Sequence, residues 1–275
     1  ADMIALTRTD TITDKDGDTN TGFASINIGQ ALSFEDDGPT ASAALDAGAV
    51  SHDETTGNDG DANDVTGPLA AFAAVTTVST DMTAAYAQGT ASVINSSASV
   101  GGADGLASTA YSLNVASAGV DSGLDTTEGN NILLTKEGAL VVGRISGGAD
   151  NGEAAFAVAI DASTGVLSIV QYHSIKHPTG GTSHDESLAI NNAALLAVAT
   201  VTDGDGDTNA ASVGIGARVS FQDDGPATSA NDTVRLDDDV LTGNPGGTGD
   251  DVNSENVSGT LGRAFGQDGA GTVAY

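Results

Sequence analysis

Cysteine and tryptophan are both absent from this chain, and aromatic residues make up only 4% of it. Without cysteine no disulfide can staple the fold, and no thiolate metal site or thiol nucleophile exists. Without bulky aromatics, the core has to be assembled from Val, Ile, Leu and Ala. Basic residues are scarce too: 8 Lys and Arg stand against 38 Asp and Glu, a formal net charge of −30 over 275 residues. Such a field repels nucleic acid and anionic membrane, so neither is expected as a partner. No run of about 18 apolar residues occurs, which removes a membrane-spanning helix. No signal peptide is visible at the first residues. The chain opens and closes in mid-pattern and reads as an excerpt of a longer repetitive protein, with export signals lying outside it.

What is present is Gly, Ala, Ser, Thr and a great deal of Asp, the composition of short strands and many turns. Carboxylates at this density oppose compaction unless cations neutralise them. Two stretches say where cations would sit: T-D-K-D-G-D-T-N at Thr13–Asn20 and T-D-G-D-G-D-T-N at Thr202–Asn209. Aspartates at alternate positions supply hard oxygen ligands, and the glycine lets the backbone turn sharply enough for them to converge. Asp14, Asp16 and Asp18, and Asp203, Asp205 and Asp207, are therefore candidate Ca2+ ligands; the plain alternative is a solvated polar turn. An EF-hand is excluded, because its twelfth position is Ser25 in one copy and Gly214 in the other and strands replace the flanking helices.

Each Asp loop is trailed by a strand-like run and an identical D-D-G-P, at Asp36–Pro39 and Asp223–Pro226. Ala24–Gly29 matches Ala211–Gly216, giving a period of about 190 residues, too long for a solenoid coil and suited to one domain per repeat. Asp104-Gly105 is likewise matched by Asp268-Gly269. The chain thus divides into the tail of one repeat (1–38), one complete repeat (39–225) and the head of the next (226–275). Ala73–Val100, rich in Ala, Ser and Thr, has no counterpart in the third copy. It is expected to be an extra hairpin or surface loop, with self-association into fibres as one role.

Asp36, Asp37, Asp223 and Asp224 sit at the repeat junctions, either as turn formers or as ligands of junctional calcium. The acidic loop His52–Asp64 and its counterpart Leu236–Asp251 add Asp53 and Glu54, and Asp238 and Asp239, as candidate ligands. Gly246–Asp251 matches a calcium β-roll nonapeptide once only, and such rolls need stacked copies, so it reads as an acidic loop. His173, His177 and His184 could suggest zinc, but they fall near a strand end before Pro178 and read as structural. No Ser/His/Asp set or phosphate loop is present, and carboxylate pairs this common do not argue for acid–base catalysis; the chain is not read as an enzyme.

Period-two alternation over Ala24–Phe34 predicts one long strand, and Ile132–Leu134, Ala139–Ile145, Ala154–Ile160, Gly165–Tyr172, Leu188–Ile190 and Leu195–Val201 read as further strands. The expected fold is all-β: tandem β-sandwich (Ig-like) repeats with calcium-binding loops.

A family likeness runs through Y-S-L-N-V (Tyr111–Val115), V-V-G-R-I (Val141–Ile145), the stretch Phe156–Tyr172, His177-Pro178, V-T-D-G-D-G-D-T and R-V-S-F-Q-D-D-G-P. In that order they resemble the tandem repeats of giant RTX-type, type I-secreted bacterial surface proteins (the T1SS-143 or DUF5801-like class). The resemblance implies secretion from a Gram-negative cell, calcium-dependent folding outside it, and a role as adhesin or biofilm-matrix extender. Its partners would be neighbouring repeats of the same protein. Lys15 departs from the pattern and sets a cation beside the first Asp loop. The competing reading is a ligand- or glycan-binding β-domain, disfavoured by the lack of aromatic platforms.

Overall fold

Runs of Val, Thr, Ile and Ala cut by Asp–Gly turns give strands and almost nothing else. The computed structural model describes residues 4–55, 63–180, 184, 186–233 and 259–274. Two units divide the chain, Ala1–Gly38 and Pro39–Tyr275. The first contains β1 (Ala5–Thr13) and β2 (Thr19–Asn27). They form one antiparallel hairpin, in register from Ala5 opposite Asn27 to Thr13 opposite Thr19, with every residue of both strands exposed.

The second unit continues with β3 (Ala44–Leu45), β4 (Val50–Asp53), β5 (Asp64–Val65), β6 (Ala85–Ser92), β7 (Ile94–Asn95) and β8 (Leu106–Val115). Next come β9 (Val120–Asp125), β10 (Asn131–Glu137), β11 (Leu140–Ser146), β12 (Ala154–Ile160) and β13 (Val166–Gln171). The last are β14 (Ser187–Ala189), β15 (Leu195–Asp203), β16 (Thr208–Gly214), β17 (Val219–Gln222), β18 (Ala227–Thr228) and β19 (Arg263–Ala264). A seven-stranded antiparallel sheet runs β5-β6-β13-β12-β11-β10-β9. Two three-stranded sheets, β16-β15-β8 and β14-β17-β4, share its main core. The chain is thus an all-β sandwich, as its composition predicts.

Strand alternation sorts side chains between two cores. Ile132 and Leu134 of β10, Phe156 and Val158 of β12 and Leu167 and Ile169 of β13 meet Leu113, Leu195, Ala197 and Phe221 inside the sandwich. The opposite face of the large sheet presents Leu140, Val142, Ala157, Val170 and Tyr172 to Phe72, with Leu69, Val75 and Val78 packed alongside. Both faces are covered, so β12 reads A-A-F-A-V-A-I as a continuous apolar run instead of alternating.

Two expectations are corrected. Ala73–Val100 is neither a hairpin added to the surface nor a loose loop. Val75 and Val78 cover the outer face of the large sheet, and β6 lies inside that sheet between β5 and β13. Ala87, Val93 and Ile94 are fully buried in the main core. The single long strand expected over Ala24–Phe34 is broken by a 3-10 turn at Gly29–Ala31, as the matching run is at Gly216–Arg218. In the second unit that turn carries the chain from the β16 sheet to the β17 sheet. Glycine is required there: a Cβ at Gly216 would lie 2.2 Å from the Asn191 carbonyl oxygen.

Candidate metal centre

β4 and β17 are parallel neighbours, with Val50 opposite Val219 and Asp53 opposite Gln222. Parallel pairing makes both strands end at the same edge of the sandwich, although residues 53 and 222 are far apart in the chain. The residues that follow, Glu54 on one strand and Asp223 and Asp224 on the other, are therefore delivered to one place. The Glu54 N–H donates to the Gln222 carbonyl at 3.1 Å, extending the ladder by one residue.

All three side chains are buried: Glu54 is 1% exposed, and Asp223 and Asp224 are 7% exposed. One carboxylate oxygen from each lies within 4.8 Å of the others. Glu54 Oε1 accepts from the Ile175 N–H at 2.9 Å and from the Gln171 amide, while Oε2 has no hydrogen-bond partner. The amide oxygen of fully buried Gln171 is also without one. Asp224 accepts the Gln267 N–H through both oxygens, at 2.8 and 3.0 Å. His177 donates its Nε2–H to the Phe221 carbonyl at 3.2 Å and holds Nδ1 3.3 Å from Asp223 Oδ1.

The electrostatics are those of carboxylates short of positive charge. Burial pushes Glu54 well above the usual carboxylate range, against the hydrogen bonds from Ile175 and Gln171. Burial raises Asp223 to about 6, opposed by His177 and reinforced by Asp268, Glu186 and Asp224. Asp224 and Asp268 are raised too, again chiefly by burial. A cleft of about 450 Å³, lined by Lys176, His177, His184, Asp223, Asp224 and Asp268 among others, reaches this group from solvent. Three buried carboxylates with an orphaned Glu54 oxygen form an all-oxygen donor set, which suits Ca2+ better than a softer metal.

The other candidate ligands are distributed differently. In the first unit Asp14, Asp16 and Asp18 bring their carboxylates within 4.8 Å of one another, all exposed. There Asp14 Oδ1 accepts the N–H groups of Gly17 and Asp18, at 3.2 and 2.9 Å, and Gly17 takes a φ of 102°. In the second loop Asp203 is the last residue of β15, in phase with its buried face, and is 1% exposed. Its Oδ1 caps the N–H groups of Gly206 and Asp207, at 3.1 and 2.8 Å, and its Oδ2 is unpartnered. Asp205 and Asp207 are exposed, and the three carboxylates of this loop do not converge as a set.

Asp53 is buried beside the main group but accepts the Thr55 N–H of its own turn at 2.6 Å. Asp36 and Asp37 lie exposed in the extended end of the first unit. Asp238 and Asp239, like Gly246–Asp251, fall outside the described residues. Among the described residues no histidine joins a three-ligand group. His173 is buried, with its ring nitrogens on Ser79 Oγ at 2.9 Å and Glu128 Oε2 at 3.1 Å. Sequence reasoning missed Gln171 and Asp268. Gln171 carries no signal in a strand of ordinary composition, whereas Asp268 sits in a motif that recurs.

Fold and site define a class: an all-β sandwich module in which β4 and β17 converge on a buried acidic centre. The chain belongs to the family described as a domain of unknown function (DUF5801), whose model matches residues 49–216. No curated protein and no solved structure matches it.

Proposed function

We propose that this chain is a calcium-rigidified structural repeat, an extender or fibre-forming module of a large secreted bacterial adhesin or biofilm-matrix protein. One observation carries the reading: Glu54, Asp223 and Asp224 are buried together with a Glu54 oxygen left without a partner. Three carboxylates packed this closely repel one another when ionised, and a divalent cation turns that repulsion into a cross-link. With no cysteine to form a staple, a charge of −30 and repeated D-D-G-P junctions, a bound cation is the cross-link this reading calls for, and the resemblance above is what supports an extracellular setting. Neighbouring repeats are the partners this reading implies.

Calcium binding only the folded state adds stability by mass action. Melting in millimolar calcium is expected well above melting in chelator. Calorimetry is expected to show an ion lost in Glu54→Gln but kept in Asp150→Asn. Magnesium, which dehydrates reluctantly, gives a smaller shift. Equal melting temperatures in calcium and chelator would overturn the proposal.

A further inference from the structure

The acidic centre receives a visitor from beyond the D-D-G-P. Residues 226–233 and 259–274 belong, by sequence, to the head of the next repeat. They pair with each other through β18 and β19, Ala227 opposite Ala264. The same pairing occurs one repeat earlier, as the bridge between Thr40 and Val100. Beyond each pairing comes a G-x-D-G turn, Gly102–Gly105 in one case and Gly266–Gly269 in the other. Both glycines of both turns adopt positive φ: 65° and 74° in the first, 75° and 81° in the second. The turn thus recurs with left-handed glycines at the same two places, and its third residue is an aspartate each time.

At the second position the turn is seated on the acidic centre. The Gln267 N–H donates to Asp224, and the Gln267 carbonyl accepts from the Ser174 hydroxyl at 2.8 Å. Gly266 approaches so closely that a Cβ there would lie 2.4 Å from Asp224 Oδ1. Asp268 lines the same cleft as Asp223 and Asp224, and its charge bears on Glu54, Asp223 and Asp224 alike.

We propose that Asp268 is a further ligand of the cation held by Glu54, Asp223 and Asp224, so that the ion docks the head of one repeat onto the end of the repeat before it. This rests on the calcium reading above. It adds that the site is incomplete until the next repeat's G-x-D-G turn arrives, so calcium affinity and the ordering of the junction are one coupled equilibrium.

The test uses the full 275-residue chain, calcium chloride as the probe, and the variants Asp268→Asn, Glu54→Gln and Asp150→Asn. Asp268→Asn is expected to weaken calcium binding at one site by about tenfold or more. It is also expected to abolish the calcium-induced hydrogen-exchange protection of residues 263–269, with Asp150→Asn behaving as the parent. In chelator Asp268→Asn is expected to melt no lower than the parent, since it removes a charge facing three like charges; a merely structural aspartate would lower that melting temperature too. If Glu54→Gln loses an ion while Asp268→Asn binds calcium and gains protection as the parent does, the centre stands and the docking role is overturned. If Glu54→Gln itself binds as the parent does, the centre is overturned and this inference falls with it. Asp268→Asn melting clearly lower in chelator also overturns the ligand role.

Discussion

Glu54 and Asp223 couple the fold to pH with a sign opposite to that of an ordinary surface carboxylate. Their folded pKa values are raised by burial, to about 6 for Asp223. The folded state therefore binds these protons more tightly than the unfolded chain. The stability they contribute is present below the unfolded value and is lost as pH rises through the folded one. In chelator, melting temperature is expected to fall as pH rises from about 4 to about 6, the interval between the unfolded and folded values of Asp223. Calcium bound at this centre would hold both groups ionised and is therefore expected to abolish that fall, and Asp223→Asn to flatten it. An unchanging profile in chelator is the result that contradicts this account. At this scale the sequence was informative in parts. Asp223 and Asp224 are legible from D-D-G-P, and Glu54 from the carboxylate density of the acidic loop His52–Asp64. Asp203 is not legible as a buried turn cap, because its spacing resembles a ligand's and only its phase on β15 turns it inward. Asp268 is marked by the backbone shape of its turn, which no composition count registers.

Among the elements, β17 does the most to hold the centre in place. Phe221 is fully buried and packs against Phe156 with ring centroids 5.0 Å apart. Phe156 in turn lies over Gly143, where a Cβ would come within 2.6 Å of the ring. The site's position thus depends on a void left by a glycine across the sheet. Phe221→Ala is expected to cost about 3–5 kcal/mol, and Gly143→Ala about 1–3 kcal/mol by overpacking. Denaturant melts in calcium measure both, and Phe221→Ala is also expected to weaken calcium binding, because it loosens the strand that carries Asp223. Values near zero for either would mean that this stack does not support the site. Strands β10 to β13 were readable from their apolar runs. β6, A-Y-A-Q-G-T-A-S, falls in Ala73–Val100, where a surface hairpin or loop was expected, and its small residues give no sign that it lies inside the large sheet. The break at Gly216 was hidden for a related reason: Val213, Ile215, Val219 and Phe221 keep a period of two through a turn that changes sheet.

On the scale of the whole molecule, a chain with a net charge of −30 and no disulfide has to keep its ends in register by noncovalent means. The parallel pairing of β4 with β17 has a mechanical meaning here. In the sandwich repeat, tension enters through the chain before Val50 and leaves through the chain after Gln222, at opposite ends of two side-by-side strands. Load in that direction slides the strands past each other, so the four paired positions from Val50 to Asp53 resist together rather than unzipping one by one. An ion bound by Glu54 and Asp223, as proposed above, would sit at the end of that shear zone and would have to be torn out before the strands could slip. Single-molecule pulling is expected to give a higher unfolding force in calcium than in chelator, and Glu54→Gln to bring the two together. A force that does not depend on calcium would mean that the strands bear the load without the ion, and an intact repeat would then break no later in a calcium-rich medium than in a calcium-poor one.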